Sequence, residues 1–238
     1  MDERTGKEDA SMPVIVLCST KGGVGKSTTA LVLSQFFSAA DRAVTLIDAD
    51  PNQPLATWAK RSGERVPANL TVIGGITEET IIDAIDDAAT RTAYVIVDLE
   101  GSANLTAASA ISRADLVLIP MRGKQLDADQ VGKVVALVDR AAKLSRRAID
   151  YRVVFSMATA LNTKEQRHIF QTLEAKGIPV LPARLMEKAA FSAMFQIGGT
   201  IFDLTDEDVS NPKSAIANAK ELAVAVANVL TGKGREAA

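Results

Sequence analysis

The chain has 238 residues, 47% of them hydrophobic and 24% charged, with a net charge of −2. That is apolar material for one full core, and no run approaches the roughly 20 consecutive apolar residues of a membrane-spanning helix. The single cysteine, Cys18, excludes an intrachain disulfide and the thiolate set of an iron–sulfur cluster, and the single histidine, His168, has no metal-ligand company and reads as a surface residue.

Residues 1–12 are polar and charged, so they read as a disordered tail rather than a secretory signal, too short for a helix-turn-helix module. Val14-Ile15-Val16-Leu17 is an apolar β-branched run, the pattern of a parallel strand buried on both faces. Cys18, at its end, is expected to be a small buried apolar residue. The turn Lys21-Gly22-Gly23-Val24-Gly25-Lys26-Ser27-Thr28 follows, and the spacing of Ala30, Leu31, Leu33 and Phe36 predicts a helix over residues 28–37. Strand, glycine-rich turn and helix together make a phosphate-binding loop. Glycines let successive N–H groups point at one anion, and the helix start adds partial positive charge. Lys26 suits the β- and γ-phosphates of a nucleoside triphosphate, and the Ser27 hydroxyl suits a position on Mg²⁺. Thr20 stands where a regular GxxxxGK[ST] loop has its first glycine, and Lys21 adds a second cation beside the phosphates.

A second strand over residues 43–47 closes at Asp48-Ala49-Asp50-Pro51-Asn52. Two carboxylates past a strand end lie where ligands bind in an open parallel sheet, although helix-capping aspartates would read the same way. A short helix over residues 55–60 carries the only tryptophan, Trp58; a strand over residues 70–73 and an amphipathic helix over residues 78–90 follow. Tyr94-Val95-Ile96-Val97-Asp98 is an apolar run closed by a carboxylate, the Walker B arrangement, in which Asp98 holds Mg²⁺ through water opposite Ser27. Glu100, just beyond, could assist water or be merely solvated, and it reads as the latter. A helix over residues 103–111, a strand over 115–120 and a long helix over 125–148 come next, the last with Val131, Val134, Val135, Val138 and Ala142 on one side. Its end gathers Arg140, Lys143, Arg146 and Arg147, with Arg152 beyond. Such a cluster complements a helix dipole, and it would equally bind DNA phosphates without reading sequence.

Strands over residues 151–156 and 179–182 enclose a helix over 163–176, and a last helix spans 212–230. That helix carries Ile216, Ala219, Leu222, Ala223, Val226 and Leu230 on one stripe without aromatics, which suits packing better than membrane anchoring. Strands alternating with helices predict an α/β fold, a doubly wound, mostly parallel sheet flanked by helices. One domain is expected over residues 13–231, with a C-terminal tail over 232–238.

The loop KGGVGKST resembles the deviant Walker A loop of the ParA/MinD family of P-loop ATPases, and DADPN and DLVLIP resemble that family's switch I and fifth-strand segments. With Pro54-Leu55-Ala56-Thr57-Trp58, residues 184–194 and Gly198-Gly199-Thr200-Ile201-Phe202, the chain is most similar to an alphaproteobacterial branch of compact plasmid ParA and VirC-type proteins. The resemblance implies ATP and Mg²⁺ as cofactors, with the nucleotide held by the loop from Lys21 to Thr28. It implies that Lys21 reaches phosphates bound by a partner subunit, that Asp50 orients the attacking water beside Lys26, and that Asp48 supports the magnesium shell. It also implies that Met157, Ala158 and Pro182 cup the adenine. An aspartate of ordinary pKa positions water rather than deprotonating it, so hydrolysis is expected to be slow and partner-stimulated.

The same resemblance implies an ATP-dependent homodimer, cytoplasmic and nucleoid-associated, that binds non-specific DNA and works with a ParB-type centromere-binding or adaptor protein, without a membrane. Plasmid or chromosome segregation is the role it implies. Rival readings are a positioning ATPase for a protein assembly or conjugative DNA-processing complex, a MinD-like membrane-cycling regulator, and a P-loop ligase resembling dethiobiotin synthetase. Two positions depart from the family pattern: Asn52 replaces the usual glutamine, and Asp98-Leu99-Glu100-Gly101 lacks the usual proline.

Overall fold

The computed structural model describes residues 12–158 and 164–232, and within these the side chains of residues 125–128 are left aside. The two expected tails therefore fall almost wholly outside the described residues, as does Thr163 at the expected start of a helix. Among the described residues, seven strands run β1 (Val14–Leu17), β2 (Val44–Ala49), β3 (Leu70–Ile73), β4 (Tyr94–Leu99), β5 (Leu116–Met121), β6 (Asp150–Ala158) and β7 (Leu185–Met186). All pair in parallel, in the order β3-β2-β4-β1-β5-β6-β7. The chain winds outward from β1 to one side, returns to insert β4 beside it, then crosses to β5 on the other side. The C-terminal ends of β1, β4 and β5 thus mark the reversal point where an open α/β sheet leaves a crevice.

Central parallel strands covered by helices on both faces bury their side chains, which is why β1 and β5 read as unbroken apolar runs and why Thr45 and Asp48 of β2 are buried as well. Alternate residues separate into two cores. Ile15, Leu17, Leu46, Ile96 and Leu118 face α1 (Lys26–Ala39), α2 (Pro54–Ser62), α7 (Ala189–Ile197) and α8 (Pro212–Leu230). Val16, Ile47, Val97, Val117 and Ile119 face α3 (Ile81–Ala89), α4 (Leu105–Arg113), α5 (Gln125–Ser145) and α6 (Lys164–Ala175). The stripe of α8 is spent in the first core, where Ala219, Leu222 and Val226 are fully buried. Cys18 is buried too, and burial pushes its thiol up to about 12, so it stays protonated and packs as a small apolar group. His168 is exposed on α6.

The structure corrects several boundaries. β2 continues through Asp48 to Ala49, because β4 pairs with it to the end in the register Asp48↔Asp98 and Ala49↔Leu99. Asp48 is therefore a buried strand residue and not part of a following turn. α3 starts at Ile81 rather than residue 78, after a turn in which Thr77 accepts from Ile81 N–H. α5 ends at Ser145, where Arg146 takes a left-handed conformation (φ 53°), so Arg146 and Arg147 follow the helix rather than belong to it. The expected strand over residues 179–182 is reduced to one bridge, Val153↔Val180. Pro179 and Pro182 have no N–H to give a ladder, and β6 shifts register around Met157 (φ 50°), so pairing resumes only at β7. The helix α7 was not expected; its sequence, AAFSAMFQI, has too few polar residues to show a periodic contrast.

Candidate functional site

α1 begins with Gly25 in the left-handed region (φ 87°), and no side chain caps its first N–H groups. An uncapped helix start with no acidic residue in its first turn leaves donors and partial positive charge open to an anion. Glycine suits this left-handed position, and a Cβ there would be crowded, 3.3 Å from Ser156 Cβ; Ser156 donates its hydroxyl to Val24 O. Beneath the loop, Lys26 is buried and its Nζ donates to Ser19 Oγ over 3.2 Å, while Ser19 donates to Lys21 O over 2.8 Å. Thr20, the residue in place of the first glycine, donates to Gln130 Oε1 on α5 over 2.6 Å. The departure from the regular motif thus ties the loop to a neighbouring helix. The Lys21 side chain is exposed at the rim.

Asp98 is fully buried at the end of β4, and neither carboxylate oxygen has a hydrogen-bond partner among the described residues. Burial pushes it up to about 7; the Ser27 hydroxyl and the Lys26 charge pull it down, while Asp48 and Asp50 push it further up. An ionisable pair of oxygens without partners, facing Ser27 and Lys26, fits a magnesium ion held jointly with phosphate. Among the described residues no group of three or more His, Cys, Asp or Glu is arranged to hold an ion alone. The donor set therefore suits a cation that takes most of its ligands from phosphate and water, as Mg²⁺ does.

Asp48, the register partner of Asp98, is committed differently. Its Oδ2 accepts from Leu55 N–H (2.8 Å) and Ala56 N–H (2.9 Å), and Oδ1 accepts from Asp50 N–H (3.3 Å). It anchors the start of α2, and burial raises its pKa against those three donors. Asp50 is half-buried, and its Oδ1 accepts from both the backbone and the side chain of Asn52 (2.9 Å each). Asn52 thus folds the aspartate's own turn.

A cleft of about 500 Å³ opens above these groups, lined by Gly22, Gly23, Gly25, Lys26, Ser27, Thr28, Asp50, Asn52, Glu100, Gly101, Arg122 and Met157. Met157 is the one expected adenine contact in that lining. Ala158 is buried in β6, and Pro182 lines a larger cavity of about 920 Å³ between α6 and α8 with Arg152 and Phe170. The larger cavity holds none of the phosphate-loop residues, so the smaller one is where the chemistry converges. Two supporting residues escaped the sequence reading, and a third, Glu100, read as solvated. Ser156 supports Gly25 from below; Arg122, at the end of β5, reaches over the loop with Nη2 donating to Met157 Sδ (3.0 Å); and Glu100 faces the cleft. Of the first two, Arg122 carried a local signal, a cation directly after a strand at the reversal point.

The basic cluster divides. Arg140, Lys143 and Arg146 are exposed. Arg147 instead pairs with Asp115 Oδ1 (2.8 Å) and donates to Ala114 O (2.6 Å), fastening the end of α5 to the start of β5. Arg152, mostly buried, pairs with Asp150. This cluster lies at the end of the sheet where β5 and β6 begin, opposite the phosphate loop.

A family model described as VirC1 protein matches residues 12–232. The chain belongs to the VirC1 protein family. A relative named Protein ParA, from Rhizobium radiobacter, is 41% identical over 221 residues, covering 92% of this chain and 98% of that protein. Protein virC1 of the same organism is 27% identical over 198 residues, covering 79% and 82%. The fold is also that of the septum site-determining protein MinD of Pyrococcus horikoshii, solved with Mg-ADP, at a TM-score of 0.68 and 14% identity, covering 90% of this chain and 95% of that one. This VirC1-family chain is thus of ParA/MinD type, as its phosphate loop implied.

Two separated VirC-like segments meet in the fold. Trp58 of α2 is fully buried and donates its Nε1–H to Gly199 O (2.9 Å), while Gly199 N–H donates to Ser62 Oγ (2.8 Å). A Cβ on Gly198 would come within 3.1 Å of the Ser62 backbone, so glycine lets the two segments close. Switch II departs from the family in a definite way. At Gly101 a Cβ would lie 2.8 Å from Gly22 N and 2.9 Å from Lys21 C, so this segment rests directly on the phosphate loop.

Proposed function

We propose that this VirC1-family chain is an ATPase whose ATP-bound form is a sandwich dimer that binds DNA non-specifically and so segregates or positions DNA. The observation that carries the reading is Asp98: two buried oxygens that accept no hydrogen bond of ordinary geometry among the described residues, beside the Ser27 hydroxyl and a buried Lys26, below an uncapped helix start. An unpartnered buried carboxylate is costly, and a cation-bound phosphate ligand removes that cost. The nucleotides named for its relatives agree, MinD having been solved with Mg-ADP.

In this reading Lys26 and the N–H groups of the loop bind the β- and γ-phosphates, and Ser27 and Asp98 hold the ion. Magnesium, when bound, supplies charge neutralisation at the phosphate oxygens. Asp48 holds the start of α2, and with it the turn from which Asp50 orients water. Lys21, exposed at the rim, serves the phosphates of the facing protomer. Met157 borders the base, with Ala158 behind it in β6.

Arg140, Lys143 and Arg146 supply the DNA contacts. Three cations per protomer make a weak site, because each phosphate contact contributes about 0.9 to the salt slope. A dimer presents six, so pairing of protomers raises DNA affinity without any new contact. ATP then favours DNA binding only because it favours the dimer. A centromere-binding or adaptor protein would accelerate turnover, and hydrolysis would return the protein to monomers.

DNA binding measured with ATP, with ADP and without nucleotide tests this, comparing wild type with Lys21→Ala and Asp50→Ala. Lys21→Ala is expected to bind ATP and remain monomeric; Asp50→Ala is expected to persist as a DNA-bound dimer. Wild-type protein whose DNA affinity ignores the nucleotide would refute the coupling.

A further inference from the structure

The register between β2 and β4 pairs Asp48 with Asp98 and Ala49 with Leu99, so Asp50 and Glu100 leave adjacent strands one step beyond their last paired residues. Both line the phosphate cleft. Glu100 does not hang loose there. Its Oε2 accepts from Ser102 Oγ (2.9 Å) and from Asn104 Nδ2 (3.2 Å), and Asn104 is itself fixed because its Oδ1 caps α4 by accepting from Ala107 N–H (2.9 Å). The segment is further pinned at Gly101, which has no space for a Cβ against the Lys21–Gly22 backbone. Among the described residues, Oε1 accepts no hydrogen bond. One oxygen is therefore committed to holding the carboxylate still, which leaves the other able to accept from a ligand in the cleft that Glu100 lines. A merely solvated glutamate would need neither brace.

We propose that Glu100 is a second water-orienting carboxylate, working beside Asp50 on the water that attacks the γ-phosphate. The proposal rests on the ATPase reading. The water oxygen forms a bond to the γ-phosphorus as the bond from phosphorus to the β,γ-bridging oxygen breaks. The electron pair of that bond stays on ADP; one water proton remains on the product phosphate and the other passes to solvent. Glu100 Oε1 and Asp50 each accept a hydrogen bond from the water, which fixes its lone pair in line with the breaking bond.

Glu100→Gln separates this role from a structural one. The amide oxygen takes over the hydrogen bonds from Ser102 and Asn104, so the loop is kept, while the position of Oε1 becomes an NH₂ group that donates and cannot accept. Three measurements follow: affinity for a fluorescent N-methylanthraniloyl ATP, affinity for ADP with aluminium fluoride, and the single-turnover hydrolysis rate. Aluminium fluoride mimics the phosphoryl group in flight and recruits the in-line water. Glu100→Gln is expected to bind the ATP analogue within about twofold of wild type, and to lose roughly tenfold or more both in the hydrolysis rate and in aluminium fluoride affinity over ADP alone. Ser102→Ala, which frees the carboxylate without removing it, should show a smaller loss in the same two measurements. If wild type binds the analogue and Glu100→Gln equals it in both, the proposal falls and the ATPase reading stands. Binding by wild type without single-turnover hydrolysis also overturns it. If wild type binds no analogue, both readings fall together.

Discussion

Asp98→Asn should make the nucleotide-free protein more stable while destroying its response to Mg-ATP. In the folded chain burial moves the Asp98 carboxyl from the ordinary 3.8 to about 7. The folded state therefore holds the proton more tightly than the unfolded one. Stability falls as pH rises through that interval and is flat above it. At pH 8 the whole gap counts against the folded state, about 4 kcal/mol; at pH 5 only about 1.5 kcal/mol of it does. An asparagine carries no charge but leaves a buried amide unpaired, which costs about 2 kcal/mol. The variant should therefore gain about 2 kcal/mol at pH 8 and nothing at pH 5. For a domain of this size that corresponds to a Tm higher by about 4–8 °C at pH 8. Thermal unfolding followed by circular dichroism in chelator, at both pH values, measures it. Added Mg-ATP should then raise the wild-type Tm and leave the variant unmoved. A variant no more stable than wild type at pH 8 would show that the Asp98 oxygens are satisfied within the protein, and the inference of a cation site from them would fail.

Gly101→Ala should cost about 1–3 kcal/mol of stability from overpacking and weaken ATP binding at least about tenfold, because its Cβ must displace the Gly22 backbone 2.8 Å away; calorimetric titration with Mg-ATP checks it. Replacing Arg140, Lys143 and Arg146 together with alanine should leave Tm within about 1 kcal/mol equivalent and flatten the salt dependence of DNA binding. Arg147→Ala should do the reverse, lowering Tm by releasing Asp115 and the Ala114 carbonyl with little change in salt slope, since its guanidinium is already used. Trp58→Phe should cost about 1–3 kcal/mol in chemical denaturation, as the Gly199 carbonyl loses its buried donor.

The parts of this molecule that could be read from the sequence are those whose cause is local. An apolar run rich in β-branched residues announces a strand buried on both faces, and β1, β4 and β5 obey it. The phosphate loop is legible because glycine conformation, helix start and lysine all act within a few residues. What was not legible depends on partners far along the chain. Ser156 supports Gly25 from 131 positions away, and Thr20 is explained only by Gln130. Charge counting also fails at the basic cluster, since Arg147 and Arg146 are adjacent in sequence while, among the described residues, Arg147 alone of the two pairs with a carboxylate.

The most consequential miss is the register of β2 against β4. From sequence, Asp48 and Asp50 read as one acidic turn and Glu100 as a solvated departure from a proline. Pairing Asp48 with Asp98 regroups them by depth. The inner pair is fully buried, one member anchoring α2 and the other left for a cation. The outer pair, Asp50 and Glu100, is half-buried, each held through one oxygen by its own loop, and both lining the cleft. Depth divides the labour: carboxylates without water are suited to holding an ion, and those at the water boundary are suited to holding water. A proline at position 100 would leave Asp50 alone at that boundary, so the departure from the family pattern adds a hydrogen-bond acceptor where hydrolysis needs one.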